Sequence, residues 1–483
     1  MSLCAVLSLF PHAWALLLLL LALRLWRSRS EQKGPAADPT PQQGQGQGRR
    51  GASRSPSRSP SGSPARGRPG AVYEIRPKHQ SSVKNNILSG VTLGCWLPLL
   101  WRHGADVEWL RYWPRLCFLS AMSLLNSAVG WVEWALFARF WRRQPLPPAP
   151  VFILGHPRTG TTLLHNLLSR DSRNFIFCST FQVGFPSTFL SLGGCRSLLA
   201  PMLDPTRPMD NMALDFDLPQ EDELATNVLS GGVSPYMPIV FMKQQRRFAR
   251  FFSFRDPSVD RERRHWLECF RDFLRKVTWS AAGRARTEEE AGAALAGRRL
   301  LLKSPCHTSR VELLLREFPD AQFVYLHRDP YTVFQSAAHM ADSTYWYPPC
   351  AFAQPLCICA SQHRRATCGG RYTYLNTPSS AEVTDFILEQ FQTLHADYIE
   401  ARRQIPQGQL VELPYAELEA DKLAAVRRLY RHFGWGAVPP ELGEYAASLG
   451  GYRKNRFGGL PRALKQRVAR AWRASFEEFG YEV

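Results

Sequence analysis

With 483 residues, 45% of them hydrophobic, the chain is long enough for one large domain or two ordinary ones with appendages. Lys and Arg outnumber Asp and Glu by 60 to 41, and the formal net charge of +19 suits an anionic cofactor, an acidic polymer or a membrane surface. No nucleic-acid-reading module accompanies this charge, so no nucleic acid partner is expected, and the eleven cysteines include no C-x-x-C pair of the kind that builds a zinc site.

Residues 3–23 carry no charged side chain and approach the ~20 apolar residues that span a bilayer. The run ends in Leu-Arg-Leu-Trp, which offers no small-residue cleavage site, so residues 1–26 read as a retained signal anchor of a single-pass membrane protein. Residues 27–72 are Ser, Pro, Gly, Gln and Arg with almost no large apolar side chain. They read as a disordered basic tether, because such a segment buries too little surface to offset its ordering entropy. Residues 73–148 are rich in Trp and Leu and read as an apolar, membrane-proximal helical region. Within them 116–132 is free of charge, but Asn126 and several serines interrupt it, which favours a buried helix or one lying at an interface over a second span.

After the Pro-rich break at 144–150, residues 149–483 read as an α/β domain with a parallel sheet flanked by helices. Val151, Phe152, Ile153 and Leu154 form an apolar run that suits a buried strand, and Leu163, Leu164, Leu167 and Leu168 follow at helical spacing. The loop between them, GHPRTG, holds two glycines that let backbone N–H groups and a helix start converge on an anion. It matches a Walker A loop except that Thr161 stands where that motif requires Lys, which argues against a nucleotide kinase. Residues 171–298 read as an insertion of helices and loops in which LPQEDEL, at 218–224, places three acids side by side. Trp266, Phe270, Phe273 and Leu274 recur there at core spacing. Further strands follow at 299–303 and 322–327, the second ending in Arg328, with Ser336 eight residues later.

The sequence PRTGTT at 157–162 resembles the phosphate loop of the sulfotransferase superfamily, and FVYLHRDPYTVFQS resembles its second phosphate element. Tyr415, Leu418 and Asp421 are similar to a late motif of that superfamily, and YRKN at 452–455 to its basic closing loop. The resemblance implies a P-loop-like sulfotransferase fold over about residues 150–480. It also implies a sulfuryl donor, 3′-phosphoadenosine 5′-phosphosulfate (PAPS), with no metal. Arg158, Thr159, Gly160, Thr161 and Thr162 would then hold the 5′-phosphosulfate, and Arg328, Ser336, Arg453 and Lys454 the 3′-phosphate.

Sulfuryl transfer to a hydroxyl is an in-line displacement that needs a cation on the leaving oxygen and a base for the hydroxyl proton. Lys303, at the carboxyl end of its strand, reads as that cation. Glu221, Glu223 and His307 are the candidate bases. The acceptor class stays open among carbohydrate, lipid and small-metabolite hydroxyls, as does the oligomeric state. A non-catalytic nucleotide-binding scaffold tethered to a membrane is the alternative reading. The resemblance points to the Golgi or another endomembrane, whereas Arg24, Arg27 and Arg29 after the anchor favour a cytoplasmic domain, so the face of the membrane stays open. Cys350, Cys357, Cys359 and Cys368 suit disulfides in a lumen or reduced thiols in cytosol.

Overall fold

Apolar runs without polar alternation belong to a sheet covered on both faces, and that is where the chain puts them. The computed structural model describes residues 71–75, 87–199, 203, 206–207, 210, 212–344, 375–451, 455 and 457–483. The expected anchor, nearly all of the tether, Arg453, Lys454 and the four clustered cysteines lie outside them. Contacts divide the chain into two units, residues 1–70 with 101–105, and residues 71–100 with 106–483. The second holds the sheet and every site residue discussed below.

Its principal elements, in order, are α1 (Leu93–His103), α2 (Trp109–Trp141), β1 (Val151–Leu154), α3 (Thr161–Leu168), β2 (Phe175–Phe177), α4 (Asp222–Leu229), α5 (Asp260–Ala281), β3 (Arg299–Lys303), β4 (Gln322–His327), α6 (Pro330–Thr344), α7 (Ser380–Ala401), β5 (Leu410–Pro414) and α8 (Lys422–Phe433). The sheet is parallel throughout, in the order β2-β3-β1-β4-β5. Successive residues alternate between its faces. Phe152, Leu154, Leu300, Leu302, Phe323 and Tyr325 join one core cluster, with Trp266, Phe270, Phe273 and Leu274 of α5. Val151, Ile153, Leu301, Val324, Val411 and Leu413 join the other, with Leu164 of α3 and Leu429 of α8. Because the strands run in one direction, the residues that follow β1, β4 and β5 and the last residue of β3 share one carboxyl edge, where open α/β sheets bind ligands.

Two findings add to the sequence reading. The insertion at 171–298 is not only helix and loop: it contributes the edge strand β2, whose Phe175 pairs with Arg299 of β3. Three residues are too few to show a period. The second concerns α2, a helix of 33 residues whose most apolar 18-residue window has a mean hydropathy of 1.3, long and apolar enough by length and composition to cross a membrane. Arg115, Ser123, Asn126 and Glu133 of this helix are buried against the protein. Asn126 is buried and donates to the carbonyls of Ser89 (2.8 Å) and Val91 (3.1 Å). Ser120 and Ser127 accept from Trp96 Nε1 and Leu93 N at 3.0 and 2.7 Å, and Glu133 makes a buried ion pair with Lys276 of α5.

Candidate active site

β1 ends at Leu154 and α3 starts at Thr161, so residues 155–160 must turn the chain within one short loop. Gly155 and Gly160 adopt φ of 136° and 97°, open to glycine at no steric cost. A Cβ on Gly160 would lie 2.3 Å from Cδ2 of Tyr415, which follows β5. Arg158 lacks that freedom yet has φ of 80°, a conformation that costs about 1–3 kcal/mol and persists only when its surroundings fix it.

Those surroundings are specific. Arg158 Nε donates to Ser336 Oγ at 3.0 Å, and Arg158 Nη1 donates to Asp210 Oδ2 at 3.0 Å. Arg328 Nη1 donates to the Arg158 carbonyl at 3.1 Å, and its guanidinium lies 4.2 Å from the Tyr415 ring centre. The residues expected from two separate stretches thus gather on one loop. Arg158, Gly160, Thr161, Thr162, Arg328 and Ser336 line a single cavity of about 300 Å³, together with Tyr415, Lys422 and Phe457. Thr159 is used differently: its N–H and hydroxyl both bond the His156 carbonyl, at 3.2 and 2.8 Å, so it holds the turn itself. The amides of Thr161 and Thr162 open α3, where N–H groups have no intrahelical acceptor. His156 packs 4.9 Å from the Phe391 ring centre, and burial pushes its imidazole down to about 3, so it is neutral.

Lys303 pairs in register with Ile153 of β1, which brings its ammonium up beside the loop. Nζ donates to Thr162 Oγ1 at 3.3 Å and to Glu221 Oε1 at 2.5 Å, while the Tyr236 hydroxyl donates to Glu221 Oε2 at 2.5 Å. Burial pushes the Lys303 ammonium below its usual value although Glu221 pulls the other way. For Glu221 burial acts upward, but Lys303 and the Tyr236 hydroxyl outweigh it and hold the carboxyl below its usual range. The Lys303 side chain is 2% exposed and that of Glu221 21%, so the carboxylate is the end of this pair that a second reactant can touch.

The neighbouring acids have other partners. Glu221 is the N-cap position of α4, and Asp222 and Glu223 form the buried first turn. Glu223 receives Arg310 Nη1 at 2.6 Å and Nη2 at 3.1 Å, the Ser234 hydroxyl at 2.6 Å and Trp266 Nε1 at 3.2 Å, and neither side chain of the ion pair is exposed. His307 Nε2 lies 2.6 Å from Asp222 Oδ2, again with no exposure on either side, and its ring packs among Phe152, Trp266 and Phe270. Of the candidate bases, only Glu221 reaches Lys303.

Three residues of the site carry no role in the sequence reading. Tyr415 appears there only as part of a motif, yet it walls Gly160 and supports Arg328. Tyr236 lies thirteen residues after Glu223, and nothing local in the sequence links it to Glu221. Asp210 lies in a stretch without periodic pattern, and its carboxylate also approaches Arg207 at 3.5 Å.

One edge of a parallel sheet thus carries a glycine-containing strand-to-helix loop, two arginines and a Lys–Glu pair, the arrangement of an α/β enzyme of the group-transfer kind. Residues 150–439 match the model of the sulfotransferase family, and the chain belongs to that family. The omega-hydroxy-beta-dihydromenaquinone-9 sulfotransferase Stf3 of Mycobacterium bovis is 27% identical over 402 residues, which span 81% of this chain and 90% of Stf3. Two solved structures share the fold. Sulfotransferase STF1 of Mycobacterium tuberculosis superposes with a TM-score of 0.52 at 16% identity, over 79% of this chain and 91% of its own. Sulfotransferase STF9 of Mycobacterium avium gives 0.50 at 17% identity, over 76% and 86%.

Proposed function

We propose that the chain transfers the sulfuryl group of PAPS to an acceptor hydroxyl, with Lys303 and Glu221 as the working pair. The observation that carries this reading is the 2.5 Å contact between the two, set against Thr162 at the head of the phosphate loop. PAPS, when bound, supplies a sulfuryl group whose sulfur–phosphate oxygen bond breaks as the bond to the acceptor oxygen forms. Arg158 and the amides of Thr161 and Thr162 hold the 5′-phosphate. Arg328 and Ser336 hold the 3′-phosphate. The glycine at 160 fits this assignment, since a side chain there would collide with Tyr415 inside the cavity. Asp210 holds the Arg158 guanidinium by an ion pair, for which a donor phosphate competes.

Lys303 neutralises charge that grows on the leaving oxygen, and Glu221 accepts the proton of the acceptor hydroxyl. Glu223 and His307, fully buried against Arg310 and Asp222, set the position of α4. The relative Stf3 is named for an ω-hydroxylated quinone, which supports a hydroxyl on a lipid-like molecule over a carbohydrate as acceptor. Residues 1–26 anchor the chain in a membrane and 27–72 tether it. The curated relatives are mycobacterial and give an endomembrane location no support.

The test is incubation of the purified full chain with radiolabelled PAPS and panels of hydroxylated isoprenoid lipids, glycans and small metabolites. Label is expected on a lipid hydroxyl. Tight binding of adenosine 3′,5′-bisphosphate with no transfer to any panel would favour the scaffold reading.

A further inference from the structure

A helix on the surface of a water-soluble domain buries its apolar side chains and exposes its polar ones. α2 buries Leu116, Leu119 and Trp141 in this way, but its outer face is apolar as well. Arg115, Ser123, Asn126 and Glu133 are buried on its inner side, whereas Leu110 (95% exposed), Trp113 (61%), Leu125 (51%), Trp131 (70%) and Leu136 (55%) stand outside. At 100° per residue these five fall within one half of the helix circumference, centred opposite Asn126. Over 110–136 the stripe extends about 39 Å at 1.5 Å per residue. Such a length of unbroken apolar surface exceeds what a monomer leaves in water without a purpose.

We infer that the outer face of α2 lies in the plane of a lipid bilayer whose surface is anionic, as a second attachment independent of the N-terminal anchor. Three features select lipid as the occupant. The stripe ends in Arg139, Arg142 and Arg143, all exposed and within little more than one turn, where they meet lipid phosphates. Trp113 and Trp131 place indoles along the stripe, with the exposed Trp134 at its flank, and indole is the side chain most at home in the headgroup layer. The inner side is tied to the domain along its length, by Asn126 to Ser89 and Val91 and by Glu133 to Lys276, so the helix cannot leave the protein to cross the bilayer upright. It lies flat, as interfacial helices do.

The full chain, reconstituted in phosphatidylcholine–phosphatidylglycerol vesicles containing a lipid with a diazirine in its acyl chain, is irradiated and digested, and labelled peptides are mapped by mass spectrometry. Label is expected on peptides covering 110–136 as well as on any anchor peptide. In the double variant L125E/W131E, circular dichroism should be unchanged while label on 110–136 falls by about fivefold or more, as two charges oppose insertion of the face. A parallel preparation in pure phosphatidylcholine should label 110–136 more weakly. Label confined to residues 1–26 would overturn the inference, as would chemical cross-links that join α2 to α2 of a second copy, or to residues 1–26, in place of lipid label.

Discussion

Tyr415 stands between Gly160 and Arg328: a Cβ on the glycine would reach within 2.3 Å of its ring, and the guanidinium lies 4.2 Å from the ring's centre. One aromatic side chain at the end of β5 therefore sets both the phosphate loop of β1 and the arginine that follows β4. Gly160→Ala should break this arrangement twice, through the clash and through its φ of 97°. Strain of that kind costs about 1–3 kcal/mol. The expected result is a loss of bisphosphate affinity by isothermal titration calorimetry that is larger than the loss of thermal stability. Unchanged affinity would show that the loop does not hold the donor.

Arg328 and Lys303 should fail in different ways. In the proposed arrangement Arg328 faces a phosphate that does not react, so Arg328→Ala should weaken binding of adenosine 3′,5′-bisphosphate by about 2–3 kcal/mol and leave AMP binding nearly as it was. Lys303→Ala should bind the donor almost normally and lose single-turnover rate by on the order of a hundredfold. The reverse pattern would exchange the two roles.

The pH dependence separates stability from turnover. An unfolded lysine titrates near 10.5 and Lys303 in the fold below it. Between those values the unfolded chain binds more protons than the folded one, so the contribution of Lys303 to stability rises with pH. Turnover should fall across the same window, because the ammonium is the working form. Glu221 has the opposite sense: its folded value is held below the usual 4.5. Its stabilisation is complete above the unfolded value and is lost as pH falls through the folded one, and the acid limb of the rate profile should follow it. Tyr236→Phe removes a hydrogen bond to the carboxylate and should move that limb to higher pH. Urea midpoints and rates measured from pH 3 to 11, about the span of these two groups, check both signs.

Glu221→Gln and Glu223→Gln lie two residues apart and should behave unlike each other. The first removes a base and should lower turnover by about 10²–10⁴-fold. The second leaves Arg310 buried without its carboxylate and should cost about 3–5 kcal/mol in urea unfolding, with turnover per folded molecule changed by less than about tenfold. Equal loss of turnover in the two variants at equal folded fraction would argue against Glu221 as the base.

The strand, glycine-containing loop and helix at 151–168 were legible because their signals are local: an apolar strand, two glycines and a helix within eighteen residues. Arg328 and Ser336 were legible by their separation, although their meeting with Arg158 was not. The base stayed open among Glu221, Glu223 and His307, since neighbouring acids differ only in the direction the helix start gives them. Arg310, Tyr236 and Lys303, the partners of Glu223 and Glu221, lie elsewhere in the chain. For α2 the composition was plain but its facing was hidden, because Ser89, Val91 and Lys276, which draw the polar residues inward, come from outside the helix.

The start of α4 sends Glu221 to Lys303, Asp222 to His307 and Glu223 to Arg310, three destinations for three consecutive carboxylates. Insertion or deletion of one residue before Glu221 would turn each acid by about 100° and hand it to the wrong partner. Related chains should therefore vary in length after 281, beyond α5, and keep the spacing from Pro219, which bridges Ser179 beside β2, to Glu221, together with the order of the three acids. Length conservation there, more than residue conservation, is the mark by which chains with a working pair can be told from those that have lost it.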